Sequence, residues 1–176
     1  MQERGVDQQL LDAVAVLPTT EFKGEAWRHM FGDNPPELAN TGGARWNPAG
    51  VDAIYASLER ETAIAEGDFR VQLEPIRPRA RRTVYRLNVH LTAVVDLTSP
   101  DARRRLGLSD ADLADLTLTK TAAVGGAVEW LGYDGILVPS IRADGVNLVV
   151  FPNRMEERDG RLDRIDAEVI FDRHQG

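Results

Sequence analysis

Gly42-Gly43-Ala44-Arg45-Trp46-Asn47-Pro48-Ala49-Gly50, running straight into Val51-Asp52-Ala53-Ile54-Tyr55-Ala56, reads as a loop that turns into a strand. Its glycines let a backbone close on a ligand. An arginine beside them suits a phosphate, because a guanidinium offers paired donors to an anion's oxygens. Ser57 reads as the cap of a following helix with Glu59 in its first turn, and Gly67 as that helix's end. Tyr55 on the strand and Glu66 at the end of the helix can complete a nucleotide site. The set points to chemistry on a phosphate-containing small molecule.

Outward from that unit, apolar residues at helical spacing mark Val6 to Leu17 as a helix, stopped by Pro18. Gly24 to Phe31 reads as a strand carrying Trp27 and Arg28. The loop from Gly32 to Gly50 is long for a compact domain, so it is functional or mobile. Its tip near Asn34 to Gly43 is the part expected to move, with Arg45 onward tied to the Tyr55 strand. Thr83 to Leu97 is β-branched and apolar and reads as one long strand or two short ones. Ser99 to Leu116 reads as two short helices parted near Gly107. Thr119 to Leu131 reads as a helix of small residues with Ala123, Ala127 and Leu131 on one face. Ile136 to Pro139, Val146 to Phe151 and Ile165 to Phe171 read as strands, the last after a turn at Asp159-Gly160. Helices and strands mix without strict alternation. The expected class is α+β: a single domain with a mixed β core and flanking helices.

The chain has 176 residues, 43% hydrophobic and 28% charged, which is a globular profile with a core of useful size. With no cysteine, disulfides and thiolate metal sites are excluded. No apolar run approaches the roughly 20 residues of a membrane span, and Met1 to Gly5 lacks a signal-peptide layout, so a cytoplasmic location is expected. A net charge of −7 argues against general nucleic-acid binding. One basic cluster stands out, Arg77, Arg79, Arg81, Arg82 and Arg86, readable as a solvated loop or as a docking patch for an acidic partner or for phosphates.

Familiar catalytic signatures are missing. His29, His90 and His174 have no metal-ligand spacing, so no metal site is expected. There is no P-loop, dinucleotide fingerprint or nucleophile elbow. Each remaining candidate has a plain alternative. Arg45 is either a phosphate ligand or part of a turn that seats Trp46 in the core. Arg28 is either its partner in a pyrophosphate clamp or an exposed strand arginine. Tyr55 doubles as a core tyrosine and Glu66 as a solvated helix glutamate. Ser140 and Asn147 frame a hairpin, Ile141 to Val146, that either closes over a ligand or is only a turn.

Taken in order, Trp27-Arg28, Gly43 to Gly50, Ile54-Tyr55-Ala56, Glu61 to Glu66, Gly135 to Ser140 and Asn147 to Pro152 resemble the RES domain, the toxin half of RES–Xre toxin–antitoxin modules. The match runs over roughly residues 20 to 155 within one domain spanning 1 to 176. The resemblance implies a fold like that of ADP-ribosyltransferases around an NAD+ cleft. It implies NAD+ as substrate, cleaved at the nicotinamide–ribose bond by hydrolysis or phosphorolysis, with inorganic phosphate as co-substrate in the latter case and no permanently bound cofactor. Glu66, Arg45 and Tyr55 map onto catalytic positions. Arg28, Trp46, Asn47, Ser140 and Asn147 map onto substrate-binding ones. An Xre-type DNA-binding antitoxin is the implied partner, with Arg77 to Arg86 as a docking candidate and a homodimer within the complex left open. An ADP-ribosyltransferase acting on a protein, and a non-catalytic nucleotide- or antitoxin-binding module, are the competing readings.

Overall fold

The structure is a computed structural model that describes residues 5–74 and 80–172. Its elements run α1 (Gln8–Ala15), β1 (Thr19–Phe31), β2 (Ile54–Ser57), α2 (Arg60–Leu73), β3 (Arg82–Asp96), α3 (Pro100–Arg105), α4 (Asp110–Ala114), α5 (Thr119–Trp130), β4 (Gly135–Pro139), β5 (Val146–Val150), α6 (Pro152–Glu157) and β6 (Arg161–Phe171). The α+β expectation is met. Helix α6 and the first four residues of β6 are additions to the sequence reading.

The strands form one mixed sheet ordered β1-β2-β5-β4-β3-β6, and β1 also pairs with β3. The five strands β1, β2, β5, β4 and β3 therefore close into a ring, while β6 lies along the outer edge of β3. All pairings are antiparallel except β3 with β4. Strand β3 is long enough to serve two partners on one edge, β6 opposite Arg82 to His90 and β4 opposite Val94 to Asp96.

Alternation along the strands feeds two cores, since successive side chains point to opposite faces. Leu148 and Val150 join Ile54, Ala56, Leu87 and Val89 in one cluster. Val149 joins Ile136, Val138, Trp46, Val124 and Val128 in the other, beneath α1 and α5. Strand β5 is buried on both faces, which is why Leu148 to Phe151 is apolar without a break. The buried Asp134 carboxylate accepts from the amides of Thr92 and Ala93, pinning the turn before β4 to β3.

Three local expectations are corrected. Ser57 does not cap α2. It ends β2, buried, and donates to Asn147, while the N-cap is Glu59. Gly67 does not end α2, which continues to Leu73. A Cβ at Gly67 would lie 2.5 Å from the His29 ring, so glycine there permits close packing of α2 on β1. On α5 the buried residues are Thr121, Val124, Gly125, Gly126, Ala127 and Val128, while Ala123 of the expected face is exposed.

The loop before β2 is more fastened than its composition implies. Asn40 and Ala53 form a β-bridge, and the Gly50 amide donates to the Thr41 carbonyl. Gly43 and Gly50 take positive φ of 98° and 87°, conformations that suit glycine. Of the basic cluster, Arg77 and Arg79 lie outside the described residues, as does His174. Arg81, Arg82 and Arg86 are each ion-paired within the chain, to Asp33, Asp68 and Asp166. Among the described residues no helix is long and apolar enough to cross a membrane.

Candidate active site

Glu66 sits on the face of α2 that looks onto β2 and β5. Its Oε1 accepts two hydrogen bonds, from Ser140 Oγ and from Asn147 Nδ2, each at 2.7 Å. Ser140 Oγ also accepts from the amides of Arg142 and Ala143, so its single proton is directed to the carboxylate. Asn147 is fixed from the other side, where its Oδ1 accepts from Ser57 Oγ at 2.7 Å. Asn147 of β5 and Ser140 just past β4 thus hold one carboxylate oxygen, with Ser57 of β2 fixing Asn147 behind them. Glu59, the N-cap of α2 and about two turns before Glu66, accepts from the Val146 amide and ties the β4–β5 hairpin to α2.

Tyr55 organises the glycine-rich loop. Its hydroxyl donates to Asn47 Oδ1 at 2.5 Å and accepts from the Trp46 amide at 3.0 Å. Burial pushes the phenol's pKa well above its ordinary value, so it stays protonated in this donor role. Asn47 is fully buried and donates to the Val51 carbonyl and to Asn40. Its side chain is committed to the loop and lines neither cavity of the cleft. Trp46 is buried against α5 and walls one of them.

Two cavities, of about 230 and 200 Å³, meet at Tyr55, Glu66, Arg70 and Asn147, so they form one cleft with a waist. The first is walled by Arg28, His29 and Asn34 among others. The second is walled by Arg45, Phe69, Leu113, Leu118 and Arg142. Arg28 donates through Nη2 to the Leu38 carbonyl and through Nε to Met30 Sδ, while Nη1 is buried with no partner among the described residues. Burial, reinforced by Arg70, draws its pKa down to about 10. Arg45 donates to the Asp115 carbonyl, and burial followed by Arg142 lowers its pKa. Sequence candidates Arg28, Arg45, Tyr55, Glu66, Ser140 and Asn147 are thus brought to one cleft from separate elements. Among the described residues no group of three or more metal-ligating side chains is found.

Three cleft residues escaped the sequence reading. Arg70 and Phe69 fall beyond the helix end assigned at Gly67. With α2 continued, Arg70 lies four residues after Glu66, on the same face. Arg142 lies in the hairpin turn, its guanidinium 3.2 Å above the Phe69 ring. The i,i+4 spacing was the available signal for Arg70.

His29 is neutral by construction. Arg82 Nε donates to its Nε2 at 2.8 Å, so the ring's own proton lies on Nδ1. Burial first, then Arg82 and Arg70, lowers its pKa from 6.5 to about 4. The unfolded chain takes up this proton near pH 6.5 and the folded chain only near pH 4. Stability from this group is therefore full above pH 6.5 and is lost as pH falls toward 4. Denaturant midpoints measured across that range should fall with pH, and His29→Gln should flatten the fall.

Comparison with known proteins agrees with this architecture. The family model described as RES domain matches residues 17–171, extending past Pro152 to take in α6 and β6. NAD(+) phosphorylase MbcT of Mycobacterium tuberculosis is 31% identical over 166 residues, 89% of this chain and 88% of that one. A probable NAD(+) phosphorylase of the same organism is 31% identical over 160 residues, 85% of this chain and 77% of that one. A chain in the crystal structure of the M. tuberculosis MbcT–MbcA toxin–antitoxin complex matches with a TM-score of 0.81 and 28% identity, covering 94% of each chain.

Proposed function

The chain belongs to the RES domain family, and from that premise we propose that it is an NAD+-cleaving toxin that transfers ADP-ribose to inorganic phosphate and is restrained by an antitoxin. The observation that carries the reading is the Glu66 carboxylate, held by Ser140 and Asn147 at the waist between two arginine-lined cavities. Breaking the nicotinamide–ribose bond leaves positive charge on the ribose while nicotinamide departs neutral. Little acid assistance is needed. A fixed carboxylate beside the developing cation, in a site partly closed to water, lowers the barrier.

In this reading Glu66 stabilises the ribosyl cation, and Ser140 and Asn147 aim it. Arg28 and Arg45 bind the anionic groups of the substrates. Tyr55 and Trp46 shape the wall between them, with Asn47 holding the Tyr55 hydroxyl and that hydroxyl holding the Trp46 amide. The cleft mouth carries exposed Leu38, Leu73 and Ile141, an apolar rim suited to a protein partner. We take that partner to be a DNA-binding antitoxin of Xre type. In this reading both substrates are cytoplasmic metabolites, which supports action in the cytoplasm.

Pure protein incubated with NAD+ should release nicotinamide in a phosphate-dependent reaction, yielding a ribose 1″-phosphate product visible by phosphorus NMR. Equal release without phosphate would establish hydrolysis instead. Release only when a protein acceptor is present would favour protein ADP-ribosylation. Expression without the antitoxin should deplete NAD+ as growth stops. Growth arrest at normal NAD+ would count against the toxin mechanism.

A further inference from the structure

We propose that Arg70 and Arg28 form a phosphate subsite on one side of Glu66, and that its occupant is the attacking inorganic phosphate. The inference rests on the phosphorolysis reading above.

Arg28 contributes a buried guanidinium whose Nη1 has no partner among the described residues, a costly state for a charged donor. It lines the larger cavity, so the open donor has an anion-sized space beside it. Arg70 lines the same cavity, at its boundary with the second. Although exposed, it makes no ion pair among the described residues. Two cations thus face one space, with no carboxylate among the described residues bound to either. The like-charge pressure between them is visible in Arg28, whose pKa Arg70 helps to lower. A dianion between them relieves both penalties at once.

The position also meets a chemical requirement. Phosphate must approach the ribose next to the negative Glu66, and it needs compensating charge to do so. Arg70, one turn along α2 from Glu66, supplies it. The second cavity offers aromatic and aliphatic walls with Arg45 and Arg142, better matched to a base and a pyrophosphate. With nicotinamide and phosphate on opposite sides of the waist, displacement is in line. A phosphate oxygen forms the bond to C1″ as the C1″–N bond breaks. That bond's electron pair passes to the pyridinium nitrogen and neutralises it, and no proton needs to move.

The test uses Arg70→Gln and Arg70→Lys, both at an exposed position. Initial rates of nicotinamide release are measured against phosphate at saturating NAD+, and against NAD+ at saturating phosphate. Arg70→Gln should raise KM for phosphate roughly 10- to 100-fold, the weight of a charge-assisted hydrogen bond, and leave KM for NAD+ within about twofold. Arg70→Lys should recover part of the loss. A rise confined to KM for NAD+ would overturn the assignment, placing the dinucleotide's own phosphates there. Independently of catalysis, inorganic phosphate should raise Tm of the wild type above that in chloride of equal ionic strength. Arg70→Gln should lose most of that rise. An equal rise in both proteins, or none in the wild type, overturns the subsite. Phosphate-independent cleavage with an Arg70-dependent Tm rise would refute phosphorolysis while leaving the anion site standing.

Discussion

Glu66→Gln is expected to cut NAD+ cleavage by at least about 100-fold, the usual scale for removing one preorganised electrostatic group, without disturbing the fold. Glutamine keeps the side chain's length and leaves an oxygen able to accept from both Ser140 Oγ and Asn147 Nδ2. The substitution therefore removes charge and little else. Stability should change by less than about 1 kcal/mol, the scale of one neutral hydrogen bond. Substrate affinity should change far less than turnover, because the carboxylate matters most when the ribose becomes cationic. Ser140→Ala makes a useful contrast. It leaves the charge but frees one side of the carboxylate, so a smaller loss is expected. A folded Glu66→Gln protein with wild-type turnover would remove Glu66 from the mechanism.

Local rules placed the candidate residues at turns and strand ends, and the ordered resemblance joined them into one site. Tyr55 lies on a short apolar strand and Ser140 just past Pro139 at a strand end. Arg45 follows paired glycines, of which Gly43 does take positive φ. The β-branched run from Thr83 read as one long strand or two short ones, and it forms the single strand β3. The errors share one cause: tertiary contacts overrode local signals. Ser57 and Gly67 have the chemistry of helix caps, yet Ser57 is needed in β2 to hold Asn147, and Gly67 is needed inside α2 to clear His29. Ending α2 at Gly67 hid Arg70 and Phe69, which only a continued helix brings to the cleft. The resemblance maps Asn47 onto a substrate-binding position, and the structure commits its side chain to Asn40, Val51 and Tyr55. Its complete burial follows from a fold-back onto Asn40 and Val51 that no short window reveals. The basic cluster read as a solvated loop or a docking patch, and the carboxylates that pair Arg81, Arg82 and Arg86 were hidden because they lie far away in sequence.

A single methyl group on α5 should prove as damaging as the loss of a site residue. The glycine pair Gly125-Gly126 looks, in sequence, like a weak point in a helix, because glycine is the poorest helix former after proline. Its use lies in what passes over it. A Cβ at Gly125 would land on the carbonyl of Trp46, with that carbonyl carbon at 2.5 Å and Cα at 3.2 Å. The obstacle is backbone and cannot rotate away. Either α5 or the Arg45-Trp46-Asn47 loop must move, and the loop is tethered by Tyr55. Overpacking of this kind costs about 3 kcal/mol at the upper end of its usual range, or roughly 6–12 °C in Tm for a domain of this size. Displacing Arg45 by about 1 Å would lower turnover by a further factor of about 100. Gly126 supplies the control. There a Cβ meets only the Pro48 ring, at 3.1 and 3.4 Å, and alanine adds helix propensity. Gly126→Ala should therefore stay within about 1 kcal/mol of the wild type. If thermal melts and NAD+ cleavage place Gly125→Ala and Gly126→Ala side by side, close approach of the loop to α5 is not what positions Arg45.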